Sequence, residues 1–161
     1  MAGYASVTAE LTTGLLGTLG GTQDAVQRGY VLADAAAVGV GLGVVYDASD
    51  ASVQLPSTGG QKFMGVAIID PTVLPIGVDE YVTGDRILTT KKCPLGVWVA
   101  TTEAVDASDA VYLQHTTNSG RLPGTFRTDS DSSNAALISA DVAQWAGSYG
   151  SGLALLNLNL P

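Results

Sequence analysis

The 161 residues include one histidine, one cysteine, two tryptophans and two phenylalanines, and lysine and arginine together number only seven. Each scarcity closes off a class of function. Against fifteen acidic residues the seven basic ones leave a formal net charge of -8, so a phosphate backbone or an anionic membrane is repelled, and the counterion release that drives nucleic-acid binding is lacking. Nucleic acid and membrane are therefore excluded as expected partners. A single thiol, Cys93, cannot form an internal disulfide, and a chain of this length does not need such staples. No apolar run approaches the roughly 18 residues of a membrane span, and the N-terminus lacks the basic and apolar regions of a secretory signal. The expectation is a soluble protein made in the cytoplasm.

Chemistry-bearing residues are few enough to weigh singly. His115 could serve one Ser-His-Asp triad by count, but it lies in Leu113-Gln-His-Thr-Thr-Asn-Ser-Gly120, a polar hairpin tip, and reads as a surface histidine. Cys93 follows Lys91 and Lys92, which could lower a thiol pKa; with no second cysteine and no histidine close in sequence it reads as structural. Asp129-x-Asp131-x-Ser133 begins like a calcium loop, yet position six is Asn134 instead of glycine and position twelve is Ala140 instead of a bidentate glutamate. Paired acids such as Asp47 and Asp50, or Asp79 and Glu80, sit in turns with nothing to desolvate one member. Glycines 39, 41 and 43 lack the strand-to-helix context of a dinucleotide loop. No catalytic residue, cofactor or metal is expected.

What is present is strand after strand. Hydrophobic residues make up 46% of the chain and charged ones 14%, which is enough apolar material for one core under a surface of small and hydroxylated side chains. Arg86-Ile-Leu-Thr-Thr90, Gly96-Val-Trp-Val-Ala-Thr101 and Ala110-Val-Tyr-Leu-Gln114 are strand-length runs separated by short polar turns. Tyr30 to Asp34, Val38 to Asp47 and Lys62 to Ile69 are further apolar runs, and Ile138, Ala140 and Val142 alternate as in a strand. Near the end Ala154, Leu156, Leu158 and Leu160 form one apolar face, with Asn157 and Asn159 on the other. Asp85 and Asp109 each follow a small residue and precede β-branched ones, the pattern of an aspartate fixing a turn through backbone amides. About eight or nine strands without an amphipathic helix predict an all-β fold: a compact β-sandwich or small barrel, jelly-roll-like.

Residues 1–28 differ. Glycines 14, 17, 20 and 21 break any helix through Leu11, Leu15, Leu16 and Leu19. The segment reads as an extended N-terminal arm to a single β domain at 29–161, and its four leucines as candidate contacts to a partner surface or to a neighbouring subunit. Removing 1–28 is expected to leave the β domain folded.

One ordered set of motifs goes further. Tyr81-x-x-Gly84-Asp85-x-Ile87, then Gly96-Val97-Trp98-Val99, Asp109-x-Val111-Tyr112, Leu122-Pro123-Gly124-x-Phe126 and Leu153-Ala154-x-Leu156-x-Leu158-Asn159-Leu160-Pro161 together resemble the capsid cement, or decoration, proteins of tailed bacteriophages. The resemblance runs from about Gly29 to the C-terminus. It implies a non-catalytic virion protein that forms a dimer or trimer on the outer face of an icosahedral shell and clamps neighbouring capsomers of the major capsid protein. The competing class is a β-sandwich binding module, carbohydrate-binding or adhesin-like, which would expose an aromatic platform built on Trp98, Trp145 or several tyrosines.

Overall fold

The computed structural model describes residues 16–21, 23–48, 51–74 and 79–161. Twelve strands replace the eight or nine expected: β1 (Val26–Leu32), β2 (Val38–Gly39), β3 (Gly43–Tyr46), β4 (Ser52–Gln54), β5 (Phe63–Ala67), β6 (Glu80–Tyr81), β7 (Arg86–Thr101), β8 (Val111–Gln114), β9 (Phe126–Arg127), β10 (Ala135–Ile138), β11 (Ala143–Trp145) and β12 (Gly152–Asn159). The only helical element among the described residues is a 3-10 turn at Asp131–Ser133. The chain is all-β, as its composition implied.

Five strands close a small barrel. β1 pairs with β4, β4 with β3, β3 with β5, β5 with β7, and β7 returns to β1. The β1–β4 contact is parallel and short, Val31 opposite Ser52 and Leu32 opposite Val53; the others are antiparallel. Five strands enclose less space than the roughly eight needed for side chains just to fill a barrel comfortably. Tyr30, Leu32, Val44, Val53, Met64 and Ile87 belong to the core cluster of this ring. The buried Tyr81 hydroxyl donates to the Ile68 carbonyl at 2.6 Å.

A second core lies outside the barrel wall. Val45, Val66 and Ile68 cluster with Val97, Val99, Leu113, Phe126, Trp145, Leu156 and Leu158. Strands covered on both faces need apolar residues at every position, which explains why Val44-Val45 and Met64 to Ile68 are continuous rather than alternating. β12 is covered on one face: Ala154, Leu156 and Leu158 are buried while Asn159 is exposed. That face is the one its alternation predicted.

β7 joins the two cores. Its first half pairs with β1 and β5, and its second half with β12, from Val97 opposite Leu156 to Thr101 opposite Gly152. The turn expected between Thr90 and Gly96 is absent, because Pro94 is accommodated at a register shift: Leu158 faces Cys93 but Leu156 faces Val97. A bulge is where a strand tolerates a proline that cannot donate to the ladder. Gly96, at φ 86°, supplies the left-handed backbone there. Two further readings change. The run from Ile138 to Val142 is not one strand; β10 ends at Ile138, and the Val142 amide donates to the Ser139 carbonyl at 2.9 Å to close a turn before β11. Asp85 and Asp109 do fix turns, but backwards: their carboxylates accept from the Val82 and Asp106 amides at 2.9 and 2.8 Å.

Candidate functional site

The N-terminal segment is where structure adds most to the sequence. β1 begins at Val26, so the expected boundary between residues 28 and 29 falls inside a strand. Before β1, residues 17–20 also lie along β7: the Gly17 amide donates to the Trp98 carbonyl at 2.9 Å, the Trp98 amide to Thr18 at 2.9 Å, and the Gly20 amide to Gly96 at 2.7 Å. Leu19 stands opposite Val97, and Val26 opposite Lys92. Residues 17–20 and 26–32 therefore follow one edge of β7, the first beside Gly96 to Trp98 and the second beside Arg86 to Lys92. On the inner side the Ile69 amide donates to the Gly17 carbonyl at 3.2 Å.

Glycine makes this approach possible. A Cβ on Gly20 would strike the Leu95 carbonyl, and one on Gly41, at φ 81°, would come 2.9 Å from Leu16 Cδ2 and 3.2 Å from the Gly17 nitrogen. Glycines 39, 41 and 43 fall within the apolar run from Val38 to Asp47, which is not one continuous strand. They belong instead to β2, a turn and β3, and Gly41 is the position that makes room for the incoming segment.

The four candidate leucines separate. Leu19 is half-buried against the second core, so it contacts its own subunit. Leu16 is 38% exposed beside Gly41, the first described residue of the chain. Leu11 and Leu15 lie outside the described residues.

The chemistry-bearing groups are engaged structurally. Cys93 is buried and donates to the Gly96 carbonyl at 3.0 Å; burial pushes its thiol pKa up, away from reactivity. His115 Nδ1 is 2.9 Å from the hydroxyl of Thr116. Trp145 is buried, its indole nitrogen donating to the Ala110 carbonyl at 3.4 Å, and Trp98 packs edge-to-face on Tyr149 with ring centroids 5.6 Å apart. The burial of Trp145 removes it from the aromatic platform required by the carbohydrate-binding or adhesin-like alternative, while Trp98 is half-buried.

The acidic stretch after β9 organises a loop through hydrogen bonds that its polar sequence did not reveal. Asp131 accepts from Gln114 Nε2 at 2.8 Å, Asn118 Nδ2 at 3.0 Å and Arg121 at 2.5 Å. The Gln114 bond leads in holding its carboxyl below the usual aspartate pKa. The buried Arg127 donates to Asp129 at 2.6 Å, to Glu103 at 3.3 Å and to the Thr102 hydroxyl at 3.1 Å, and its hydrogen bond is the main cause of the lowered Asp129 pKa. These carboxylates are consumed by protein donors. Backbone at Asp131, Ser132 and Ser133 is left-handed, at φ 45°, 57° and 73°, a strained run for residues with side chains. Four donors around Asp131 and Asp129 hold it in place. The legible signal was the pair Arg121 and Arg127 just ahead of Asp129 and Asp131 in a chain with so few cations.

Comparison with known proteins gives an identity consistent with this architecture. No curated protein sequence matches significantly. A chain from the solved structure described as "The capsid of Myoviridae Phage XM1" has the same fold, with a TM-score of 0.68 at 18% identity, covering 90% of this chain and 89% of that one. The family model described as "Structural cement protein (E217 gp24/Pam3 gp6)" matches residues 4–159, a span that includes the N-terminal segment as well as both cores. The chain belongs to the structural cement protein family of bacteriophages.

Proposed function

We propose that the protein attaches to the outer face of an icosahedral phage head as a dimer or trimer and stabilises it by clamping neighbouring capsomers of the major capsid protein. Leu11, Leu15 and Leu16 make the outward contact, and Leu19 anchors them to the body. The observation that carries this reading is the hydrogen bonding of residues 17–20 to β7. A pull on the residues before Leu16 loads the bonds from Gly17, Thr18 and Gly20 to β7 together, in shear, and β7 distributes that load to both cores. A structural neighbour from the capsid of another phage supports the location.

Individual contacts need not be strong. A subunit cluster that engages several capsid sites gains effective concentration, and linked sites raise avidity by roughly 100-fold or more. Binding only the assembled shell then shifts the assembly equilibrium toward it by linkage. The test is to mix purified protein with capsids that lack it, sediment them, and measure survival of the particles on heating. Co-sedimentation with raised survival is expected; protein left in the supernatant and unchanged survival would refute the clamp.

A further inference from the structure

The outer edge of β1 is an unfilled strand position flanked by two arginines. The Leu32 amide donates inward to the Asp85 carbonyl, whereas the Val31 amide donates outward to Ala51. The register from Gln27 opposite Thr90 to Val31 opposite Arg86 is regular, so the backbone groups of Gln27 and Gly29 also point outward. Among the described residues β4 reaches only Val31 and Leu32, and nothing pairs with the edge at Gln27 and Gly29. An open groove of about 490 Å³ runs here, lined by Arg28, Gly29, Tyr30, Val31, Ala51 and Arg86.

Among the described residues neither arginine is in an ion pair, although the charge of Arg86 reaches Asp70 closely enough to help lower its pKa. The Arg86 guanidinium lies across Gly29 on one face of the strand, where a Cβ would come 2.5 Å from its Nε. Arg28 lies on the opposite face, its guanidinium carbon 5.4 Å from the Tyr30 ring centroid. Neither has a carboxylate in salt-bridge range among the described residues, in contrast to Arg121 and Arg127. Lys62 covers the Tyr46 ring and Lys91 donates to the Pro161 carbonyl. In a chain of charge -8, two unpaired arginines on one free strand edge mark a site complementary to negative charge.

We infer that this edge accepts an extended acidic segment of the capsid partner as an added β-strand, a reading that rests on the proposed capsid attachment. Backbone hydrogen bonds to Gln27 and Gly29 would provide the pairing. Because successive side chains of a strand point to opposite faces, two adjacent carboxylates on the incoming segment meet Arg86 on one face and Arg28 on the other. Adjacency of the two acids is the recognition element, and their attraction is weakened by salt.

The full-length protein is titrated by NMR with the capped peptide acetyl-Thr-Val-Asp-Glu-Val-Thr-amide and with its Asn-Gln counterpart. Amide shifts confined to Gln27, Gly29 and Ala51, weakened at least tenfold in the Asn-Gln peptide, in Arg28→Glu and in Arg86→Glu, are expected. Gln27→Pro removes an outward donor at an edge position that tolerates proline and should give the same loss with an unchanged circular dichroism spectrum. Equal binding of both peptides, shifts elsewhere, or no shift at millimolar peptide would overturn the inference. In capsid sedimentation, wild type and Arg28→Glu/Arg86→Glu pelleting equally would also overturn it while leaving capsid attachment intact. If wild type itself does not pellet, attachment falls and the peptide titration alone decides the edge.

Discussion

Replacing Gly41 by alanine should loosen the N-terminal strand more than the barrel beneath it. Two separate penalties arise. The first is backbone: Gly41 sits at φ 81° and is held there by its amide on the Ala67 carbonyl at 2.7 Å and by the Ala100 amide on its own carbonyl at 3.2 Å. A left-handed alanine costs about 1–2 kcal/mol, and that cost persists whether or not residues 16–20 are docked, so it lowers global stability. The second is steric. The new methyl would press on Leu16 Cδ2 and the Gly17 nitrogen, and overpacking of this kind costs about 1–3 kcal/mol. Undocking of the strand relieves this second term alone. At tenfold per 1.4 kcal/mol, local opening should become about 5- to 150-fold more frequent. Native-state hydrogen exchange reads it directly: the Gly17 and Gly20 amides, bonded to Trp98 and Gly96, should lose protection by that factor beyond any loss at Val66 or Thr90. Protection at Gly17 and Gly20 that is unchanged, or that falls only in step with the barrel, would refute the argument that Gly41 gates the docking.

Three further outcomes follow from the cores and loops. Trp145→Ala should cost about 3–5 kcal/mol in denaturant unfolding, because a buried indole is removed between β11 and β12. The double variant Glu103→Gln/Asp129→Asn leaves the buried Arg127 without a countercharge and should cost about 3–5 kcal/mol by the same measurement; an unchanged midpoint would show that Thr102 and solvent suffice. Hydrogen bonds from Thr72, Ser148, Arg127 and Gln114 lead in lowering the pKa values of Asp70, Asp106, Asp129 and Asp131 respectively. Carboxyls that ionise more readily when folded contribute fully above their unfolded pKa, near 4, and lose that contribution as pH falls through the folded values. Melting temperature should therefore hold from pH 7 to about 5 and fall below about 4, with a shallower fall in Asp129→Asn.

Where side-chain alternation survives, the fold was readable. β12 announced itself through Ala154, Leu156 and Leu158, and β8 through Val111 to Gln114, because one face of each strand is buried. β7 was misread as two strands because Pro94 and the pair Lys91-Lys92 look like a turn, and only the register shift against β12 shows how a strand carries them. Residues 17–21 were read as part of an extended arm for the opposite reason: glycine has no side chain to alternate, and its fitness for lying against Leu95 and beside Gly41 is a property of distant partners. A cut after residue 28, expected to spare the β domain, would remove Val26, Gln27 and Arg28 from their pairing with β7. Removing residues 1–15 is the truncation that keeps the described body whole. Ring closure was equally hidden, since β1 and β4 meet in parallel through two residue pairs. Of the four candidate leucines, Leu16 and Leu19 lie among the described residues, and no feature of the sequence separates Leu19, which packs on the second core, from the more exposed Leu16.

The placement of residues 17–20 and 26–32 along β7 also bears on how the chain reaches its native state. Leu19 finds Val97, and Val26 finds Lys92, across roughly 60–80 intervening positions, the kind of distant pairing that slows folding because loop closure precedes any reward. Neither barrel nor outer sheet can be completed before Arg86–Thr101 has left the ribosome. Until then neither the N-terminal segment nor β1 has an edge to join, and the apolar Tyr30 and Leu32 wait without their core.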